Sequence, residues 1–237
     1  MLFVSQVHAQ VATEGVLLLV PATGTVTHVN DEATLTFTAQ ETGRDKGATA
    51  SLVNKKMKQG AEIVRAQDGT AKLMTLNYTT SPVHRKLKGS SSDADESEGR
   101  EIVGWRVEQS LTVTTRNLAG LPKMVAAAQG VVGLANIDFH LSEMVGKALD
   151  DERIVATYQN LNLRIASLAK AMGRKVGDAT LESVNLEGAA DIASPVDGYL
   201  GFTRSRAYGN AKPLTEPSFE PGETTLQMRL VGKVKFK

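Results

Sequence analysis

The chain has 237 residues, with 27 Lys and Arg against 26 Asp and Glu, a formal net charge of +1, 5% aromatic residues and no cysteine. A balanced charge without a basic stripe argues against a dedicated nucleic-acid binder, and the missing cysteine excludes disulfides, thiolate nucleophiles and Cys-ligated zinc. The length fits one large domain or two small ones, with a core drawn mainly from Val, Leu, Ile, Ala and Met.

Residues 1–15, MLFVSQVHAQVATEG, resemble the tail of a secretory signal peptide, with Leu2, Phe3 and Val4 ahead of small residues and a cut after Ala9. On that reading residues 16–237 form an exported domain. No later run approaches the ~20 apolar residues of a membrane span, so no transmembrane helix is expected. Val16–Val20 reads as a short strand broken by Pro21 to Gly24. Thr25–Val29 and Ala33–Ala39 alternate apolar and polar residues around Asn30-Asp31, the pattern of a hairpin with one buried face.

From Asp45 to Gln67 the period changes to that of a helix, with Leu52, Val53, Met57, Gly60, Ile63 and Val64 on one stripe. Lys72–Val83 returns to strand alternation. Lys86–Glu101 is rich in Ser and acids, has nothing to bury, and reads as a solvated loop without the spacing of a calcium site. Glu101–Arg116 is a long strand whose apolar residues change parity, which predicts a bulge near Gly104. Leu118–Gln129 is a short helix with Leu121, Met124, Val125 and Ala128 inward, and Leu134–Ser142 is a strand offset at Asn136.

The longest helical signal runs from Asp150 to Val176, with Ile154, Tyr158, Leu161, Ile165, Leu168, Ala169 and Met172 as its apolar face. Acids at its start and bases at its end match the helix dipole. Ala179–Leu186 and Thr224–Phe236 are strands, the latter with a break at Gly232. Hairpins together with strand-helix-strand crossovers predict an α+β fold: mixed, mostly antiparallel sheets packed by one long and two shorter helices. The segments 16–116 and 117–237 hint at an internal duplication.

His8, His28, His84 and His140 are scattered, and no phosphate loop, dinucleotide fingerprint or nucleophile elbow is present. No catalytic, cofactor-binding or metal-ligating residue is assigned. Residues 188–221 lack periodicity yet carry Tyr199, Phe202, Arg204, Arg206, Tyr208 and Phe219, residue types that interface cores favour. These six are the candidate oligomer interface.

Several pieces in fixed order resemble one family. They are Gly24-x-Val26 leading to Asp31-Glu32-Ala33, the strand Leu73–Tyr78, Ile102-Val103-Gly104-Trp105-Arg106-Val107, Leu134–Phe139 ahead of a long helix ending Leu168–Gly173, and Glu220-Pro221-Gly222-Glu223. In that order they are similar to the SIMPL domain, domain of unknown function 541, over about residues 20–237. The chain departs from the family at Asn30, where Pro is usual, at Trp105, where Tyr is usual, and in the lower Ala content of its long helix. The resemblance transfers no catalytic residue. It implies an exported, oligomer-forming protein, periplasmic or associated with the outer membrane and linked to envelope or oxidative-stress defence, with ring- or channel-like assembly. The resulting expectation is a non-enzymatic envelope protein that forms a homo-oligomer, binds no nucleic acid and uses no cofactor. The alternative is a small-molecule or glycan-binding module, or a weak hydrolase, using a groove between the long helix and the sheet. A third reading makes the acidic 93–101 loop the bait of an interaction adaptor.

Overall fold

The computed structural model describes residues 15–86, 100–186, 194–195 and 216–237. In chain order the elements are β1 (Val16–Val29), β2 (Glu32–Gly43), α1 (Lys46–Gln67), β3 (Lys72–Lys86), β4 (Arg100–Thr115), α2 (Leu121–Ala128), β5 (Gly133–His140), α3 (Glu143–Ala171), β6 (Ala179–Leu186), the two-residue β7 (Ser194–Pro195) and β8 (Glu223–Phe236). The strands form two antiparallel sheets, one in the order β3-β4-β2-β5 and one in the order β1-β8-β6, with β7 also paired to β8. The fold is α+β. Among the described residues no helix is long and apolar enough to cross a membrane.

The chain divides into two compact units interleaved in sequence. Among the described residues, one comprises 15–28, 143–186, 194–195 and 224–237, and the other 29–86, 100–142 and 216–223. In the second unit, β2 turns Ala33, Leu35, Phe37 and Ala39 to one side, as a period of two dictates, and all four are buried. Val53, Met57 and Val64 of α1 and Leu121, Met124, Val125 and Ala128 of α2 close over them to make one core. Asp45 caps α1 by accepting the Ala48 N–H at 2.6 Å. Gly60 lets α1 approach the residues leading into β5, since a Cβ there would stand 2.9 Å from Val132 Cγ1. The opposite side of the sheet is hydroxyl-rich, with Thr34 across from Thr114 and Thr36 across from Thr112.

In the first unit Val20 and Ala22 of β1 and Leu230, Val234 and Phe236 of β8 are buried against Leu161, Ile165 and Ala169 of α3. The space between the long helix and this sheet is filled by these side chains. Gly24 marks the closest approach of β1 to α3: a Cβ there would collide with the hydroxyl and backbone nitrogen of Thr157.

Three local expectations need correction. β1 is one strand running through Pro21, which an edge strand tolerates because an N–H facing away from the ladder has no partner to lose. β1 and β2 are not a hairpin, since they belong to different sheets. A two-residue type I′ turn needs φ > 0 at both central positions, and Asn77 is the non-glycine residue with positive φ among those described. Asn30 and Asp31 instead bond elsewhere. The Asn30 N–H donates to the Gly222 carbonyl at 3.1 Å and its side-chain amide to the Pro221 carbonyl at 2.8 Å. β8 runs unbroken through Gly232. Irregularity falls near Gly104 as expected, where the β3–β4 register shifts between Val83 and His84 and leaves Val103 unpaired. A second bulge sets Asn77 and Tyr78 against Gln109, and Asn77 takes the left-handed conformation at φ 53°.

Candidate interaction surface

Two carboxylates are held by several local donors, Asp68 buried and Asp31 half-buried. Asp31 accepts the backbone N–H of Ser142 at 2.7 Å, the Ser142 hydroxyl at 2.8 Å and the Arg116 guanidinium at 2.9 Å. Burial pushes its carboxyl up, but the two Ser142 bonds and the Arg116 charge outweigh burial and hold it below the ordinary value of 3.8. Asp68 follows the same logic: burial raises it, while the Thr115 hydroxyl, the Thr70 hydroxyl and the Thr70 and Ala71 N–H groups lower it further than burial raises it. Both are ionised fasteners of turns.

The histidines stay apart. His140 makes two polar contacts: its Nε2 lies 2.9 Å from the Thr34 hydroxyl and its Nδ1 3.2 Å from the Leu141 carbonyl. A carbonyl can only accept, so in the neutral ring Nδ1 carries the proton and Thr34 donates to Nε2. Among the described residues no acid bonds the ring. His84 sits on exposed β3, His28 on β1, and His8 lies outside the described residues. Among the described residues no group of three or more His, Asp or Glu is placed to hold a metal ion. An open depression of about 370 Å³ on α1, lined by Gln59, Glu62, Ile63, Ala66 and Val131, offers one amide and one carboxylate. That is too few convergent polar groups to orient a small ligand.

The long helix presents the surface that the core does not use. It begins at Glu143, ahead of the predicted Asp150, and ends at Ala171. Its buried residues are Leu149, Arg153, Thr157, Leu161, Ile165 and Ala169, one every four positions. Leu161, Ile165 and Ala169 were expected inward; Ile154 and Tyr158 were too, but both are exposed. Arg153 and Thr157 occupy the inner positions in their place. Arg153 is 7% exposed, pairs with Asp150 and donates to the Gln227 carbonyl at 3.2 Å, and its Nε has no hydrogen-bond partner among the described residues. Thr157 returns its hydroxyl to the Arg153 carbonyl at 2.6 Å. The only signal in the sequence was the strict four-residue spacing itself, masked because two of its members are polar.

Turning the register outward leaves apolar residues in solvent. Met144, Asp151, Val155, Tyr158 and Asn162 follow one another at intervals of seven, four, three and four residues, a single stripe of a helix. Met144 is 64% exposed and Val155 55%, with Ile154 and Leu163 exposed beside them. The charges near it are mixed: Glu143 pairs with exposed Lys147 at 2.6 Å, Asp151 lies within the stripe, and Arg164, nine residues past Val155, falls on the other side of the helix.

Of the six residues proposed as an interface from the sequence, Phe219 is described. Its ring lies 6.3 Å from that of Phe139, tilted by 54°, against the core of its own unit. Tyr199, Phe202, Arg204, Arg206 and Tyr208 lie outside the described residues.

Over residues 18–234 the chain matches the family model described as SIMPL, protein of unknown function (DUF541). No curated protein matches the chain.

Proposed function

The chain belongs to the SIMPL family, and from that premise we propose that it is a non-enzymatic envelope protein that acts by associating with copies of itself. The observation that carries this reading is the uncovered apolar stripe of α3, with Met144, Val155 and Tyr158 in solvent on a helix whose other face is fully packed. An apolar stripe on a long helix gains by burial against another surface. A second copy is the occupant that the resemblance to an oligomer-forming family favours, and two α3 helices packed antiparallel make a closed two-fold arrangement in which one patch complements itself. Export rests on the likeness of residues 1–15 to a signal peptide.

Light scattering coupled to gel filtration tests the proposal. The wild type should elute as an oligomer at micromolar concentration, and Val155→Glu with Tyr158→Glu should elute as a monomer with an unchanged thermal melt. A wild type that stays monomeric, or a double variant of unchanged mass, overturns it.

A further inference from the structure

We infer that the outer face of sheet β1-β8-β6 docks on a bilayer surface rich in anionic lipid. This face lies opposite the one packed by α3, so the inference does not depend on the self-association proposed above. Along β8 the side chains sort by parity. Leu230, Val234 and Phe236 are fully buried and Gly232 packs on Leu161. The alternate positions are Arg229, Val231, Lys233 and Lys235, with exposed Lys237 following the strand. No acid occupies that side. β8 is the middle strand of its sheet, so these lysines do not guard an open edge. Their cross-strand neighbours on β6 are neutral, Thr180 across from Lys235 and Ser183 across from Lys233. Lys233 pairs with Glu182 at 3.3 Å. Arg229 and Lys235 have no ion pair among the described residues.

β1 supplies the apolar half. Val20 and Ala22 turn inward, while Leu17 and Leu19 turn outward at 52% and 70% exposure. The Thr27 and Thr225 hydroxyls meet at 2.8 Å, and that pairing continued antiparallel brings Leu19 beside Lys233 and Leu17 beside Lys235. A Cβ built on Gly15 would stand 3.4 Å from Lys235 Cε, which lays the lysine stem along the start of β1. Leucines set among lysines suit a membrane interface, where the apolar tips enter the acyl boundary and the ammonium groups reach the headgroups. A soluble polyanion would satisfy the cations and leave the leucines in water. With a net charge of only +1 over the whole chain, it is this face that turns toward a negative surface.

The test is flotation of the full chain with vesicles of phosphatidylglycerol and phosphatidylcholine, against phosphatidylcholine alone. The wild type should float with the anionic vesicles, stay behind with the neutral ones, and be released by about 0.5 M salt. Lys233→Glu with Lys235→Glu should weaken binding by about 25-fold or more, at about fivefold per charge. Lys55→Glu with Lys58→Glu, an equal change of charge on the exposed side of α1, should bind as the wild type does. Leu17→Ser with Leu19→Ser should weaken binding about tenfold with every cation in place, and the indole fluorescence of Leu19→Trp should shift to the blue on anionic vesicles. These positions are solvent-accessible, so each variant should melt as the wild type does. A wild type that ignores anionic vesicles, or an α1 variant as weak as the β8 variant, overturns the inference. So does a leucine variant of unchanged affinity, an outcome that makes the face a site for soluble polyanions instead.

Discussion

Asp31 shows how one side chain fixes the path of three stretches of chain. Its carboxylate holds Ser142 and Arg116, and the neighbouring Asn30 holds Pro221 and Gly222. A carboxylate held below 3.8 in the folded chain binds its proton less readily there than when unfolded, so Asp31 and Asp68 stabilise the fold fully above that value. Their contribution fades as pH falls past 3.8 and is lost once pH drops through the lowered folded values. Asp31→Asn should therefore lower the urea midpoint at pH 7 and narrow the difference between pH 7 and pH 3 relative to wild type. Arg153 gives a second residue-scale prediction. Its guanidinium is buried with one nitrogen unpartnered, while Asp150 is exposed enough to lose its partner cheaply. Arg153→Met keeps the packed stem and should change stability by less than about 1.5 kcal/mol, with either sign. Arg153→Ala removes the stem as well and should cost about 2 kcal/mol or more, read from denaturant unfolding.

At the scale of elements, α3 separates what periodicity can tell from what it cannot. Leu161 and Leu163 are the same residue two positions apart, yet the first is fully buried and the second 67% exposed. Leu161→Ala should cost about 2–5 kcal/mol, and Leu163→Ala about 0.5 kcal/mol or less, in equilibrium unfolding of each variant. The helix was legible because apolar residues recur at three and four. Its rotation was not, because Ile154 and Tyr158 form as good an apolar stripe as the one that packs, and Arg153 and Thr157 disguise the inner one. Helix α2 had no such rival: Leu121, Met124, Val125 and Ala128, its whole apolar set, are the residues it buries. For α1 the reading was nearly complete, with Val53, Met57, Gly60 and Val64 inward and Leu52 left outside.

At the scale of the molecule, the order of strands and helices was readable while the pairing of strands was not. Alternation over Thr25–Val29 and Ala33–Ala39 marks two strands, but alternation is local and a ladder partner is not. β1 pairs with β8, some two hundred residues away in sequence, and β2 with β4 and β5. The candidate surface escaped for a related reason: exposure of Val155 and Met144 becomes visible only once the inner face of α3 is assigned. The self-association proposed for that stripe rests on apolar burial, so raising salt from about 0.05 to about 0.5 M should change association by no more than about two-fold, measured by sedimentation equilibrium.

The interleaving of the two units also bears on synthesis. Sheet β1-β8-β6 has as its middle strand Glu223–Phe236, so β1 leaves the ribosome with no ladder partner and waits some two hundred residues for one. Through that interval Val20 and Ala22, buried in the finished fold with residues of α3 and β8, stay open on an unpaired strand, the kind of sticky segment that holdase chaperones shield. The other unit, whose four-stranded sheet is complete in sequence by His140, is free to condense while its companion is still unfinished.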